Sequence, residues 1–262
     1  MSELQKLIKT FAITLAVLII ISILMLILSF LLQINHRDDN VADSLNLTTE
    51  VYNNINNLEI DLKNYNLTIK KADKFKIDYD KTANLKFQNK HNKLIIKQVG
   101  FFNKKKLEVS LYIPDNFNVI EIDQELGSIN INDISIQSLE VDIASGDLKI
   151  NNVNILKTNI DGAKGEININ SSVLNNFELD SGVGQVNITA ALLGNSQIDS
   201  GIGDVNLTLV GSDEEYKVDC EKGTGKITIN GINQKGNAIY GNGFNYIEID
   251  GGMGNIDIQF TK

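Results

Sequence analysis

Tryptophan is absent from this 262-residue chain, proline and cysteine each occur once, and there are only two histidines. Each scarcity excludes something. The lone Cys220 can form no intramolecular disulfide, so an exported body would depend on packing and backbone pairing alone. His36 and His91 stand far apart and offer neither a histidine-based triad nor a histidine-rich metal site. No catalytic residue, metal ligand or cofactor is therefore expected. What the chain does have is glycine, 20 residues of it, together with many Val, Ile, Leu and Asn, a composition suited to short strands joined by tight turns.

No charged residue occurs from Thr10 to Asn35, and Phe11–Leu32 is interrupted only by Thr14, Ser22 and Ser29. That run exceeds the roughly 20 residues needed to cross a bilayer core. It is also longer than a cleaved signal peptide's apolar region and is followed by no small-residue cleavage pattern, so it reads as an uncleaved signal anchor. Lys6 and Lys9 precede it, while Arg37 alone follows closely, which places the N-terminus in the cytoplasm and the body outside. The expected plan is a cytoplasmic tail over 1–9, a transmembrane helix over 10–35 and a polar stalk over 36–57. A basic, irregular cap over 58–113 and a regular acidic repeat over 114–262 complete it.

The repeat is visible without gaps. Gly127, Gly146, Gly165, Gly184 and Gly203 are each 19 residues apart. Apolar columns travel with them: Ile122, Val141, Ile160, Leu179 and Ile198 before the glycine, and Ile129, Leu148, Ile167, Val186 and Val205 after it. A third column, Ile136, Ile155, Leu174 and Leu193, is assigned to the far corner. Alternation of apolar and polar residues on both sides of the glycine is the period-two pattern of a half-buried strand. The fold class that follows is all-β: a single-domain β-solenoid of about 19-residue rungs, two strands per rung, each burying its apolar face against its neighbours. The glycine marks a sharp turn needing a left-handed backbone or a close rung approach. Later rows, Gly223-Thr224-Gly225 and Gly252-Met253-Gly254, are separated by inserts near Asp213–Tyr216 and Asn233–Asn245, the expected variable loops.

Ser145-Gly146-Asp147-Leu148-Lys149-Ile150, Gly165-Glu166-Ile167-Asn168-Ile169, Asp180-Ser181-Gly182-Val183-Gly184-Gln185-Val186 and Asp199-Ser200-Gly201-Ile202-Gly203-Asp204-Val205 carry a family resemblance. The chain resembles, over roughly residues 55–262, the bacterial toast-rack β-strand repeat family of adhesin-like proteins found among envelope-stress-associated membrane proteins. The resemblance implies a surface-facing scaffold without an assigned activity, sometimes linked to sensing of envelope damage.

Acids recur with the same period: Asp123, Asp142, Asp161, Asp180 and Asp199, with Asp219 and Asp250 assigned to the later rows. Stacked about 4.8 Å apart, neighbouring carboxylates would repel by about 0.9 kcal/mol in bulk water. The favoured explanation is that each accepts backbone N–H bonds in the following turn. A row of divalent-cation sites is the sharper alternative. Residues 41–113 hold 13 Lys against 8 Asp and Glu, a balance of +5, whereas residues 114–262 hold 8 against 22, a balance of −14. The acidic part argues against nucleic acid. In the basic part Phe101, Phe102, Lys104, Lys105 and Lys106 form the best candidate contact for anionic lipid or cell-wall polymer, weighed against an ordinary solvated turn. The chain's last residues, Phe260-Thr261-Lys262, lack a polar cap and suggest an open edge through which copies associate.

These readings converge on a non-catalytic, membrane-anchored envelope scaffold or binding protein, adhesin-like or part of envelope-stress sensing. Its partners are the bilayer, through the N-terminal helix, and a wall polymer or another envelope protein. A self-assembling, bactofilin-like β-helix is one alternative. A carbohydrate-active β-helix enzyme is another, although no carboxylate pair stands out.

Overall fold

The computed structural model describes residues 47–100, 106–115 and 117–261. They belong to one compact unit beginning at Asn46 and are almost wholly β. The tail, the apolar run and the stalk up to residue 46 lie outside the described residues; among those described, no helix is long and apolar enough to cross a membrane.

Strand β1 (Leu47–Val51) falls within the stretch expected to be stalk, as does the buried Ile55. Five residues with partly exposed apolar positions give too weak an alternation to be seen in sequence. Strand β2 (Asn57–Lys71) bends across two faces and makes a complete rung. Strands β3 (Lys76–Asp80) and β4 (Leu85–Lys90) precede β5 (Lys93–Gln98) and β6 (Leu107–Ile113), which lie parallel on the two halves of β2. Antiparallel strands then close this end: β4 on β5, β3 on β6 and β1 on β3. Tyr52, Phe75, Phe117, Tyr79 and Phe87 plug it, with ring centroids 5.2–6.3 Å apart.

The chain then crosses to the other side of β2. There β7 (Val119–Leu126) and β8 (Ile129–Asn132) continue the stack in register, Ile60 opposite Ile122 and Ile69 opposite Ile131. The regular rungs follow as β9 (Ser135–Ser145) with β10 (Leu148–Asn151), β11 (Asn154–Lys164) with β12 (Ile167–Asn175), β13 (Phe177–Val183) with β14 (Val186–Leu193), and β15 (Asn195–Ile202) with β16 (Val205–Val210). All pair in parallel with the equivalent strand one rung away. The predicted columns Ile122 to Ile198 and Ile129 to Val205 are buried throughout.

The corner glycines are required twice over. Gly165 has φ +148°, and a Cβ there would lie 1.8 Å from the carbonyl oxygen of Gly146 in the neighbouring rung. At the far corner the structure corrects the expected column. Leu192, not Leu193, stacks on Leu174, because a register shift at Asn170/Ser172 makes that rung one residue shorter there. Leu192 is fully buried, and the next residue points outward.

The last rungs are out of chain order. A 3-10 turn at Asp213–Glu215 leads to β17 (Tyr216–Thr224) and β18 (Ile227–Ile229). After β19 (Ile232–Asn233) and β20 (Ala238–Tyr240), the chain returns as β21 (Asn245–Met253) and β22 (Ile256–Thr261). This final rung slots between β15–β16 and β17–β18, pairing in parallel with both. The expected open edge at the C-terminal strand is therefore absent: β22 is internal. Both rungs carry the same Gly-x-Gly pattern, so sequence spacing cannot reveal which lies outermost. The two inserts are the turn that skips one rung height and the segment that returns to fill it. The end of the stack is instead covered by β20 on β17 and β19 on β18, both antiparallel, over stacked Tyr216, Phe260 and Tyr240.

Candidate functional site

Parallel, in-register rungs force every outward position into a straight column, so a repeated acid becomes a continuous ladder. On the sheet formed by β7, β9, β11, β13, β15, β21 and β17, Asp123, Asp142, Asp161, Asp180, Asp199, Asp250 and Glu221 occupy one column. Asp61 of β2 extends it at the other end, where Lys97 caps it. The assignment of Asp219 to this column is corrected: Asp219 pairs with Glu248, and Glu221 pairs with Asp250. Both residues face outward on an alternating strand, so a two-residue displacement left the polarity pattern intact. Cys220 consequently sits in the column of Ile198 and Ile249, fully buried, and burial pushes its thiol up to about 12, out of reach of thiolate chemistry.

A second column two residues upstream was not legible as a repeat. It runs Glu59, Glu121, Glu140, Asn159, Glu178, Gln197, Glu248 and Asp219, its acids broken by two amides. At the basic end Lys93 bridges Glu59 and Glu121 at 3.0 and 2.8 Å, and Lys97 reaches Glu59 at 3.2 Å. The Lys93 and Lys97 ammonium groups hold the Glu59 carboxyl below its ordinary range, against partial burial. Beyond Asp142, toward the other end, the ladder has no such partner among the salt bridges of the described residues. Downstream of the ladder the outward positions are Ala163, Gly182, Gly201, Gly252 and Gly223, which make the floor of an open trough of about 780 Å³ beside Asp161, Asp180, Asp199, Asp250 and Glu221.

Burial raises the Asp142 and Asp180 carboxyls above the usual aspartate value, and the neighbouring charges raise them further: Asp161 and Asp123 for the first, Asp199 and Asp161 for the second. Asp199 accepts from the Gln197 side chain at 3.0 Å, but among the described residues no backbone N–H donates to a ladder aspartate, so the expected turn-capping role is not theirs. That role falls to a different column, the one after the glycine: Asp147 accepts from the Glu166 N–H at 3.1 Å and Asp204 from the Asn255 N–H at 2.7 Å. Nor do the acids converge: no group of three or more His, Cys, Asp or Glu among the described residues could enclose a metal ion. The ladder is a linear charged surface.

The opposite sheet, formed by β8, β10, β12, β14, β16 and β22, repeats asparagine instead. Asn151 donates to Asn132 at 3.1 Å, Asn170 to Asn151 at 3.4 Å, Asn187 to Asn168 at 3.0 Å and Asn206 to Asn187 at 2.9 Å.

Residues 55–246 match the family described as Toastrack DUF4097. The chain belongs to that family. Among solved structures, a candidate adhesin from Bacteroides fragilis NCTC 9343 is 16% identical and superposes with a TM-score of 0.54, covering 81% of this chain and 96% of that one. A candidate cell adhesion protein from Clostridium sporogenes ATCC 15579 is 16% identical with a TM-score of 0.34, covering 82% and 99%. No curated protein matches. In this toast-rack chain Phe101, Phe102, Lys104 and Lys105 lie outside the described residues; Lys106 is exposed just before β6. Of the described residues on either side, Lys97 pairs with Asp61 and Leu107 with Tyr65.

Proposed function

We propose that the protein is a non-catalytic, membrane-anchored scaffold of the bacterial envelope, its N-terminus cytoplasmic and its solenoid outside. The apolar run of residues 10–35 supplies the anchor. The segment Phe101–Lys106 is a basic, aromatic contact for anionic lipid or wall polymer. The observation that carries the binding role is the carboxylate ladder from Asp61 to Glu221, an acid repeated at every rung that, beyond the basic cap, makes no salt bridge among the described residues. Such a surface attracts cationic, extended partners through many weak contacts. Membership of the toast-rack family and the adhesin-like relative of the same fold support an interaction role.

Protease treatment of intact cells carrying a C-terminal tag tests the topology: loss of the tag is expected. Protection until the membrane is broken would overturn it and favour an internal, self-assembling β-helix.

A further inference from the structure

The three most exposed large apolar side chains among the described residues all lie in one insert. Ile232 is 68% exposed, Ile239 69% and Phe244 80%, and the insert closes the end of the stack formed by β17 and β18. Strand β20, which carries Ile239, pairs with β17 on one side and with no strand on the other among the described residues. An unpaired edge with exposed apolar residues is a template for another strand. At the opposite end of the stack the edge strand β4 carries Lys86 and Lys90, a single charge sign that opposes pairing with its own copy. Strand β20, Ala238-Ile239-Tyr240, carries no charge.

The charges flanking β20 differ in net sign, although Glu221 of β17 beside its start and Lys217 beside its finish run against the trend. At its start stand the exposed Lys235 and, held by its backbone N–H donating to Asn237 Oδ1 at 3.3 Å, Lys222, whose ammonium group donates to the Gly225 carbonyl oxygen at 2.6 Å. At its finish stands the Asp213–Glu215 turn, joined by the Tyr240 hydroxyl donating to Asp213 at 2.9 Å, with Gly243 packed against the backbone of Glu215. A copy of the same strand laid antiparallel would set each basic start against an acidic finish, twice over about a two-fold axis. No parallel arrangement does so.

We infer that the β20 end of the solenoid is a self-association surface: two copies join end to end about a two-fold axis, β20 against β20 centred on Ile239, with Lys235 of each facing Asp213–Glu215 of the other. Such an isologous contact closes as a dimer and does not propagate into a filament. It holds whichever side of the membrane the body occupies, so it stands apart from the reading of function above.

The test uses the full chain in detergent or nanodiscs. In an antiparallel pair the central residues approach to about 4.5–5.5 Å between Cα atoms, within disulfide reach. Ile239→Cys is expected to form a disulfide-linked dimer under mild oxidation at least tenfold more than Gln88→Cys on β4. Lys235→Glu should lower the dimer fraction severalfold in sedimentation, and adding Glu215→Lys in the same chain should restore it, a rescue that damage to the fold would not produce. Equal crosslinking at Ile239→Cys and Gln88→Cys would overturn the inference, as would a charge swap that fails to rescue.

Discussion

The two sheets of this solenoid follow one construction rule and reach opposite energetic results. Each repeats one polar residue type over several successive rungs, asparagine at Asn168, Asn187 and Asn206 on one and aspartate from Asp123 to Asp199 on the other. Where that residue is asparagine, each amide donates to the rung beside it and accepts from the other, so stacking satisfies the side chains: Asn168, Asn187 and Asn206 are linked at 3.0 and 2.9 Å. Where it is aspartate, both oxygens are acceptors, stacking provides no donor, and burial together with the neighbouring charges raises the Asp142 and Asp180 carboxyl pKa instead. At Asn151 and Asn187 the amide both donates to one rung and accepts from the next, so the stack itself supplies the partners. The carboxylate sheet is left wanting cations: among the described residues the salt bridges of its acid columns fall at the basic cap, through Lys93 and Lys97. A parallel stack therefore amplifies whatever each rung presents, and the sheet whose ladder is unsatisfied is the one available to a partner.

The largest effect should come from breaking what holds both ladders in register. Gly165→Ala would place a Cβ 1.8 Å from the Gly146 carbonyl oxygen at a φ of +148°, and neither neighbour is a flexible side-chain end. Chemical denaturation should show a loss of about 3 kcal/mol or more. Next in size is Asn187→Asp, which writes the chemistry of one sheet onto the other. It deletes the donor to Asn168 and to Glu166, at 3.0 and 2.9 Å, and sets a carboxylate beside Glu166. A loss of about 1–2 kcal/mol is expected, measured the same way, and it should shrink at high salt if repulsion contributes.

The ladders also show what sequence can and cannot reveal here. Gaps of 19 residues made Asp123 to Asp199 and the glycine corners visible, because parallel in-register stacking maps period directly onto column. Asp61 belongs to the same ladder but lies outside the period, since the β5–β6 rung and its antiparallel covers intervene in the chain while stacking on the other side of β2. Glu221 was hidden by the two-residue ambiguity of alternation, and Leu192 by a corner shortened without any change in the glycine spacing. The insertion of β21–β22 between earlier rungs is a choice among strands of nearly identical pattern, decided by where the inserts allow the chain to return. Periodicity reports neighbours only while the chain adds rungs one after another.

The smallest effect is the mirror of Asn187→Asp. Asp180→Asn removes a charge from between Asp161 and Asp199 and supplies the donor that the ladder lacks, so the melting temperature at pH 7 should rise, by about 1–3 °C because the side chain is solvent-screened. Acidification should do reversibly what that substitution does permanently. For Asp142 and Asp180 the folded pKa lies above the unfolded value near 3.9, so the folded state binds more protons between the two. Their destabilising contribution is full above the folded pKa and fades as the pH falls toward the unfolded one. Glu59 works in the opposite direction: its lowered pKa gives stability that is present above its unfolded value and is lost as the pH falls through its folded value. The cost of burying and crowding charge on the ladder is thus relieved at a higher pH than the basic cap loses its ion pairs. Melting temperature followed downward from pH 7 should first rise and then fall, and Asp142→Asn with Asp180→Asn should flatten the rise while leaving the fall in place. A wild-type curve that declines monotonically from pH 7 would mean that neither burial nor repulsion of the stacked carboxylates costs the fold measurable stability.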